Sequence, residues 1–222
     1  MKQIILSLAG ILAFSFAGAQ NSDTQAITLN SATGHVVIGG PDGHIHAFNP
    51  KPFELSVSAG FSEAFITFPS AELTSYGKAG WSAGLTAQYN QGFLGYRIGA
   101  FYETANSSFP DQTNVFGSTL TYRQSALDIP LSFIIQNGHS NFRIYCGLGG
   151  SIRYQFDSSL KPLNYKTNQI QWGLNFVWGM RFGHFFFEDY FFHQLNDLFD
   201  EDAGAPKSAT IGINAFKIGW VF

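Results

Sequence analysis

The chain is poor in charge, nearly devoid of cysteine, and has no long apolar run beyond its amino terminus. Asp, Glu, Lys and Arg make up 12% of its 222 residues, about half the share of an ordinary soluble domain. A net charge of −3 is too mild to hold nucleic acid or another highly charged partner. The single Cys146 excludes an internal disulfide framework, and its apolar neighbours at alternate positions make it a small apolar side chain. Past residue 19 no uninterrupted apolar stretch approaches the roughly 20 residues that a spanning helix needs.

What is present is hydrophobicity in a distributed form. Apolar residues are 45% of the chain and aromatics 17%, with 24 phenylalanines. At the amino terminus Lys2 is followed by an apolar stretch from Ile4 to Phe16 and then by Ala17, Gly18 and Ala19, the three-part layout of a secretory signal peptide cleaved after Ala19. An exported, aromatic-rich chain without spanning helices has one structure left to it inside a membrane, a closed β-barrel in which every backbone group is paired.

Alternation of period two, the mark of a strand with one oily face, recurs eight times after residue 52. The segments are 53–62, 81–90, 94–103, 127–136, 141–156, 170–182, 184–194 and 208–222. In the fifth, Ile144, Cys146, Leu148, Ile152 and Tyr154 oppose Arg143, Tyr145, Gly147, Gly149, Ser151 and Arg153. Pro130 interrupts the fourth, where a residue unable to donate a hydrogen bond predicts a local bulge or kink. The seventh carries phenylalanine on both faces and adjacent acids at Glu188 and Asp189, so one acid faces outward unless a bulge intervenes.

Tight-turn residues join these segments at 90–92, 137–139 and 183–184, and longer connections fill 62–80, 105–118, 157–168 and 195–207. Short and long alternate, as in an outer-membrane barrel with short periplasmic turns, long extracellular loops and both termini in the periplasm. The fold expected is all-β, an eight-stranded antiparallel up-and-down transmembrane barrel spanning 53–222, after a signal peptide at 1–19 and a periplasmic segment at 20–52. Residues 34–48 form two short extended stretches around Pro41-Asp42-Gly43; were they to join the sheet, the barrel would have ten strands.

Two runs give a more specific likeness. Ser125-Ala126-Leu127-Asp128-Ile129-Pro130-Leu131 and, after a turn, Phe142-Arg143-Ile144-Tyr145-Cys146-Gly147-Leu148-Gly149-Gly150 resemble the strand pair of the PorT-like outer-membrane β-barrel family of Bacteroidota. The closing Ile218-Gly219-Trp220-Val221-Phe222 fits that family's terminal strand. The resemblance covers roughly 53–222 and implies an eight-stranded outer-membrane barrel, some of whose relatives serve type IX secretion. It also implies that Phe216, Ile218, Trp220 and Phe222 form the signal read by the barrel-assembly machinery.

Eight strands enclose an interior that side chains can fill. The polar faces carry Glu54, Arg97, Glu103, Asp128, Arg143, Arg153, Arg181 and Lys217, and mixed charge in a lumen has to pair. A plugged, non-enzymatic barrel that works structurally or by binding a protein through its loops is therefore expected. The alternatives are a narrow passage or binding site for a small solute, and a lipid-modifying enzyme. No cofactor, metal or catalytic site is assigned. His44 and His46 with His35 give too few ligands on one face for zinc. His139 and Ser140 are adjacent and point apart, and the acidic run 195–204 lacks the register of a calcium loop. Glu188 and Asp189 with His184 or His193 are the remaining polar cluster. Apolar residues at 65–70 and 109–116 are expected in loops, over the barrel mouth or against a partner.

Overall fold

The computed structural model describes residues 28–30, 35–39, 45–47, 50–68, 73–109, 119–138, 141–161, 167–199 and 209–222. The chain divides into two compact units, 1–47 and 48–222. In the first, β1 (Thr28–Asn30), β2 (His35–Gly39) and β3 (Ile45–Ala47) make a small antiparallel sheet of their own, with Val37 opposite Ala47. These strands do not enter the larger sheet, so the ten-strand alternative is excluded. The expected signal peptide and the turn at 40–44 lie outside the described residues.

The second unit contains β4 (Phe53–Phe68), β5 (Leu73–Thr74), β6 (Tyr76–Gln91), β7 (Leu94–Phe109), β8 (Leu120–Gly138), β9 (Phe142–Lys161), β10 (Ile170–Phe182), β11 (Phe185–Gln194) and β12 (Thr210–Val221). Apart from the two-residue β5, each strand pairs antiparallel with its sequence neighbour, and β12 pairs with β4 to close the sheet. The result is a closed eight-stranded barrel. Following opposed residues from Leu55 through Ala87, Ile98, Leu131, Gly150, Leu174, His193 and Gly212 returns to β4 at Phe65, ten residues above the start. A stagger of this size inclines the strands by roughly 40° to the barrel axis.

Alternation decides which side chain faces which solvent. Leu55, Val57, Leu85, Ile98, Leu131, Leu148, Leu174 and Ile218 all point outward and are exposed. Aromatic pairs flank this aliphatic band. At the short-turn end Phe142 meets Phe182 at 5.0 Å, and Trp220 stacks on His184 at 5.0 Å and meets Phe185 at 4.6 Å. At the long-loop end Trp81 meets Tyr102 at 5.1 Å, and Tyr154 meets Phe156 at 5.5 Å. An oily band between two aromatic girdles is the outer surface of a membrane barrel. Among the described residues no helix is long and apolar enough to cross a membrane; the strands do the crossing.

The strands are longer than their alternation suggests. β4 runs on to Phe68, β7 to Phe109, β8 begins at Leu120 and β9 reaches Lys161, so Phe65, Ile66, Phe68 and Phe109 are strand residues and not loop residues. Pro130 makes no bulge. Pairing with β7 lapses between Ile98↔Leu131 and Phe101↔Asp128 and resumes in the same register, while Pro130 lies opposite Ser151 on β9. The missing N–H therefore costs the sheet one local contact and no offset. The irregularity in β8 falls instead at Ser125/Ala126. β11 is continuous with both neighbours, which sends Glu188 inward and Asp189 outward. Gly92 and Gly183 hold left-handed φ values of 62° and 59° in two of the tight turns, conformations that side chains with a Cβ tolerate poorly.

Candidate functional site in the barrel lumen

The lumen is layered. At the short-turn end one carboxylate serves two arginines: Arg143 Nη1 and Nη2 donate to Glu54 Oε2 and Oε1 at 2.9 and 3.3 Å, and Arg181 Nη1 donates to Glu54 Oε1 at 2.7 Å. Arg181 Nε donates to the Gly183 carbonyl at 2.6 Å, which ties the turn to the lumen. Three amides fill the space beside them. Gln136 Nε2 and Gln88 Nε2 both donate to Asn90 Oδ1, at 2.8 and 2.6 Å, and Arg143 Nη1 donates to Gln136 Oε1 at 3.0 Å. One step further in, Arg97 pairs with Glu188, stands 4.7 Å from the Tyr145 ring and donates through Nε to Gln88 Oε1 at 2.8 Å. Tyr145 donates its hydroxyl to Glu188 at 3.0 Å.

The middle layer is built on Arg153, which is fully buried. Its Nη1 donates to Glu103 Oε2 at 3.1 Å and stands 3.7 Å from Asp128 Oδ2. Ser151 and Tyr190 donate to Asp128 at 2.5 and 2.7 Å. Lys217 has no hydrogen-bond partner for its Nζ among the described residues. The ammonium lies 3.6 Å from the Phe101 ring centroid and 4.1 Å from that of Tyr190. Two ring faces thus supply the negative potential that an oxygen acceptor otherwise gives.

Above this layer the lumen turns apolar. Tyr122, Gln124 and Gln155 form a last polar rung. Beyond it Ile66, Phe68, Phe109, Leu120, Leu198, Phe199 and Ile211 are buried as one cluster, with Phe68 against Phe109 at 5.6 Å and Phe199 at 6.0 Å. The described start of the β11–β12 connection, 195–199, is tied down beside it: Asn168 Nδ2 donates to the carbonyls of Asp197 and Phe199 at 2.7 and 3.1 Å. Sequence reading assigned Ile66, Phe68, Phe109, Leu198 and Phe199 to loops, and so set the apolar residues of 65–70 and 109–116 over the barrel mouth or against a partner and not on the strands that enclose this cluster. The signal was there, since Ala64, Ile66 and Phe68 keep the parity of Glu54, Ser56, Ser58 and Ser62.

All eight charged residues singled out on the polar faces point into the lumen. Seven of them form ion pairs, and Lys217 has its rings. Glu188, whose facing the sequence leaves open, joins them. Glu188 and His193 lie on opposite faces of β11, Asp189 accepts from the Trp178 indole N–H and His184 donates Nδ1–H to the Val221 carbonyl at 2.7 Å, so Glu188 and His193 do not meet. His139, Ser140, residues 200–208 and the side chains of His35, His44 and His46 lie outside the described residues. Phe216, Ile218, Trp220 and Phe222 share the outward face of the closing strand and its end.

Closure, an oily exterior and a side-chain-filled interior define a transmembrane β-barrel of the outer-membrane class. The sequence matches the outer membrane protein beta-barrel domain family over residues 19–200, and the chain belongs to that family. No curated protein matches it. Among solved structures it is similar to Neisserial surface protein A, at 14% identity and TM-score 0.44 over 77% of this chain and 97% of that one. It is also similar to Ail, the attachment invasion locus protein of Yersinia pestis, at 12% identity and TM-score 0.38 over 78% and 100%. The amino-terminal barrel of Pseudomonas aeruginosa OprF gives 12% identity and TM-score 0.34 over 75% and 97%.

Proposed function

We propose that this outer-membrane barrel is non-enzymatic and closed to solutes, and that it acts structurally or by holding a protein partner at its long-loop end. The observation that carries this reading is the double obstruction of the lumen, an ion-paired layer around Arg153 beneath the apolar stopper around Phe68. An ion entering that path would have to leave water and displace paired charges, a cost of several kcal/mol for each group. The strands stay paired up to the rim at the long-loop end, and connections carried on such a scaffold are where binding residues concentrate. The short turns face the periplasm in this reading, and residues 1–19 are removed before assembly, leaving 20–52 as a periplasmic segment. The likeness to the PorT-like family favours a secretion-associated partner. The lipid of the outer membrane and the barrel-assembly machinery are the contacts that any such protein makes.

Planar-bilayer recording of the refolded protein tests the closed lumen. The expected trace is silent at all voltages that the bilayer withstands, and a steady unitary conductance would overturn the proposal.

A further inference from the structure

Arg97, Arg143, Arg153, Arg181 and Lys217 are turned into the lumen. Lys78 on β6 and Arg123 on β8 are not: both are exposed on the outer wall. Between them on β7 is Asn106, opposite Lys78 on one side and Arg123 on the other, and on the same face as Tyr102 and Thr104. The three side chains make one outward rung across adjacent strands. Neither cation has an ion-pair partner among the described residues. Glu63 on β4 and Asp157 on β9 stand one strand outside the pair on either side, so the strip over Asn106 stays positive.

The height of the rung fixes what it meets. Thr104 is opposite Trp81, whose ring meets Tyr102 in the long-loop girdle, and Asn106 lies two residues further toward the long loops. At the strand rise and tilt of such a barrel, two residues climb about 5 Å along the axis. The girdle marks the edge of the hydrocarbon, and the headgroup layer beyond it is about 5–7 Å deep. The rung is therefore level with lipid phosphates. The stems of Lys78 and Arg123 can run along the wall and close from two sides on one phosphate over Asn106. Asn106 Nδ2 donates to the Ala79 carbonyl at 2.8 Å and carries a second hydrogen to give. We propose that Lys78, Asn106 and Arg123 seat the phosphate of a membrane lipid in the leaflet at the long-loop end. A headgroup phosphate monoester, with nearly two negative charges, suits two cations better than a zwitterionic headgroup, whose ammonium cancels its phosphate. This deepens the lipid contact named above. It rests on the outward facing of β6 to β8 and not on closure of the lumen, so a conducting barrel would leave it standing.

The test uses the full chain refolded in phosphatidylcholine vesicles with Trp172, Trp178 and Trp220 changed to Phe, which leaves Trp81 below the rung as the single emitter. Folding of every variant is checked by migration in unheated detergent gels, and emission is quenched by phosphatidic acid or phosphatidylcholine brominated on the acyl chains. Phosphatidic acid should win the place beside Trp81 about threefold over phosphatidylcholine, the worth of one or two exposed ion pairs. Lys78→Gln combined with Arg123→Gln should bring the ratio to one, while Lys51→Gln, at the short-turn end, should leave it unchanged. Should the single-tryptophan protein not fold, phosphatidic acid retained by the four-tryptophan protein and the same variants in native mass spectrometry gives the same comparison. Equal quenching or retention of the two lipids overturns the proposal. So does a preference that survives the double substitution, or one that Lys51→Gln lowers as much. A preference erased by inorganic phosphate would put a free anion in the seat and overturn the lipid assignment.

Discussion

Two charged residues show how strictly facing decides the worth of a side chain in this barrel. Asp189 points into the apolar band, with Trp178 and Phe216 opposite it on the adjacent strands. Its side chain accepts a hydrogen bond from the Trp178 indole N–H, at 3.3 Å. Its neighbour Glu188 points inward and pairs with Arg97. A carboxylate against hydrocarbon is unfavourable, though less so than a base, so Asp189→Leu should raise the unfolding free energy by about 1 kcal/mol in lipid vesicles. Leu148→Arg, on the same surface, should lower it by about 2–4 kcal/mol. Glu103→Gln leaves the buried Arg153 with a single, longer carboxylate contact and should cost about 3 kcal/mol. Urea titration followed by tryptophan fluorescence measures all three, and a Leu148→Arg protein as stable as the parent would refute the outward facing. The parity of Glu103, Leu148 and Arg153 was legible from alternation alone, whereas that of Glu188 and Asp189 was not, because phenylalanine occupies both faces of their segment. The pairing was not legible either, because Glu54 meets Arg181 across 127 positions and no local pattern relates them.

At the level of the strand, β12 does the closing. It pairs with β11 over nine residues and with β4 over twelve, and its outward Phe216, Ile218 and Trp220 lead to Phe222 at the barrel edge. If that face is what the assembly machinery reads, deleting Phe222 should reduce folded barrel in the membrane fraction while leaving refolding of the purified chain intact. Equal yields in cells would count against the signal. The limits of β10 were readable because apolar residues recur at every second position from Ile170 to Phe182, with Val177 the one apolar residue on the opposite face. β4, β7 and β8 were read short. Their inward faces change from polar to apolar part-way up, as from Ser62 to Ala64, Ile66 and Phe68, and a rule that expects a hydrophilic lumen stops at that change. Pro130 misled for a related reason: one absent donor need not shift a register that long pairing on both sides enforces.

At the scale of the whole barrel, closure pairs each of the eight long strands on both sides, so unfolding must break a ring of paired strands at once. The unheated protein in dodecyl sulfate should migrate faster than the boiled form; identical mobility would mean that the barrel does not survive as a closed body. The stacking of an ion-paired layer beneath an oily one also sets what a cell can tolerate. If the lumen is closed as proposed, copies can accumulate in the outer membrane without adding leaks for protons or nutrients. Abundance is then limited by space in the lipid sheet and by supply from the export route, not by damage to the permeability barrier.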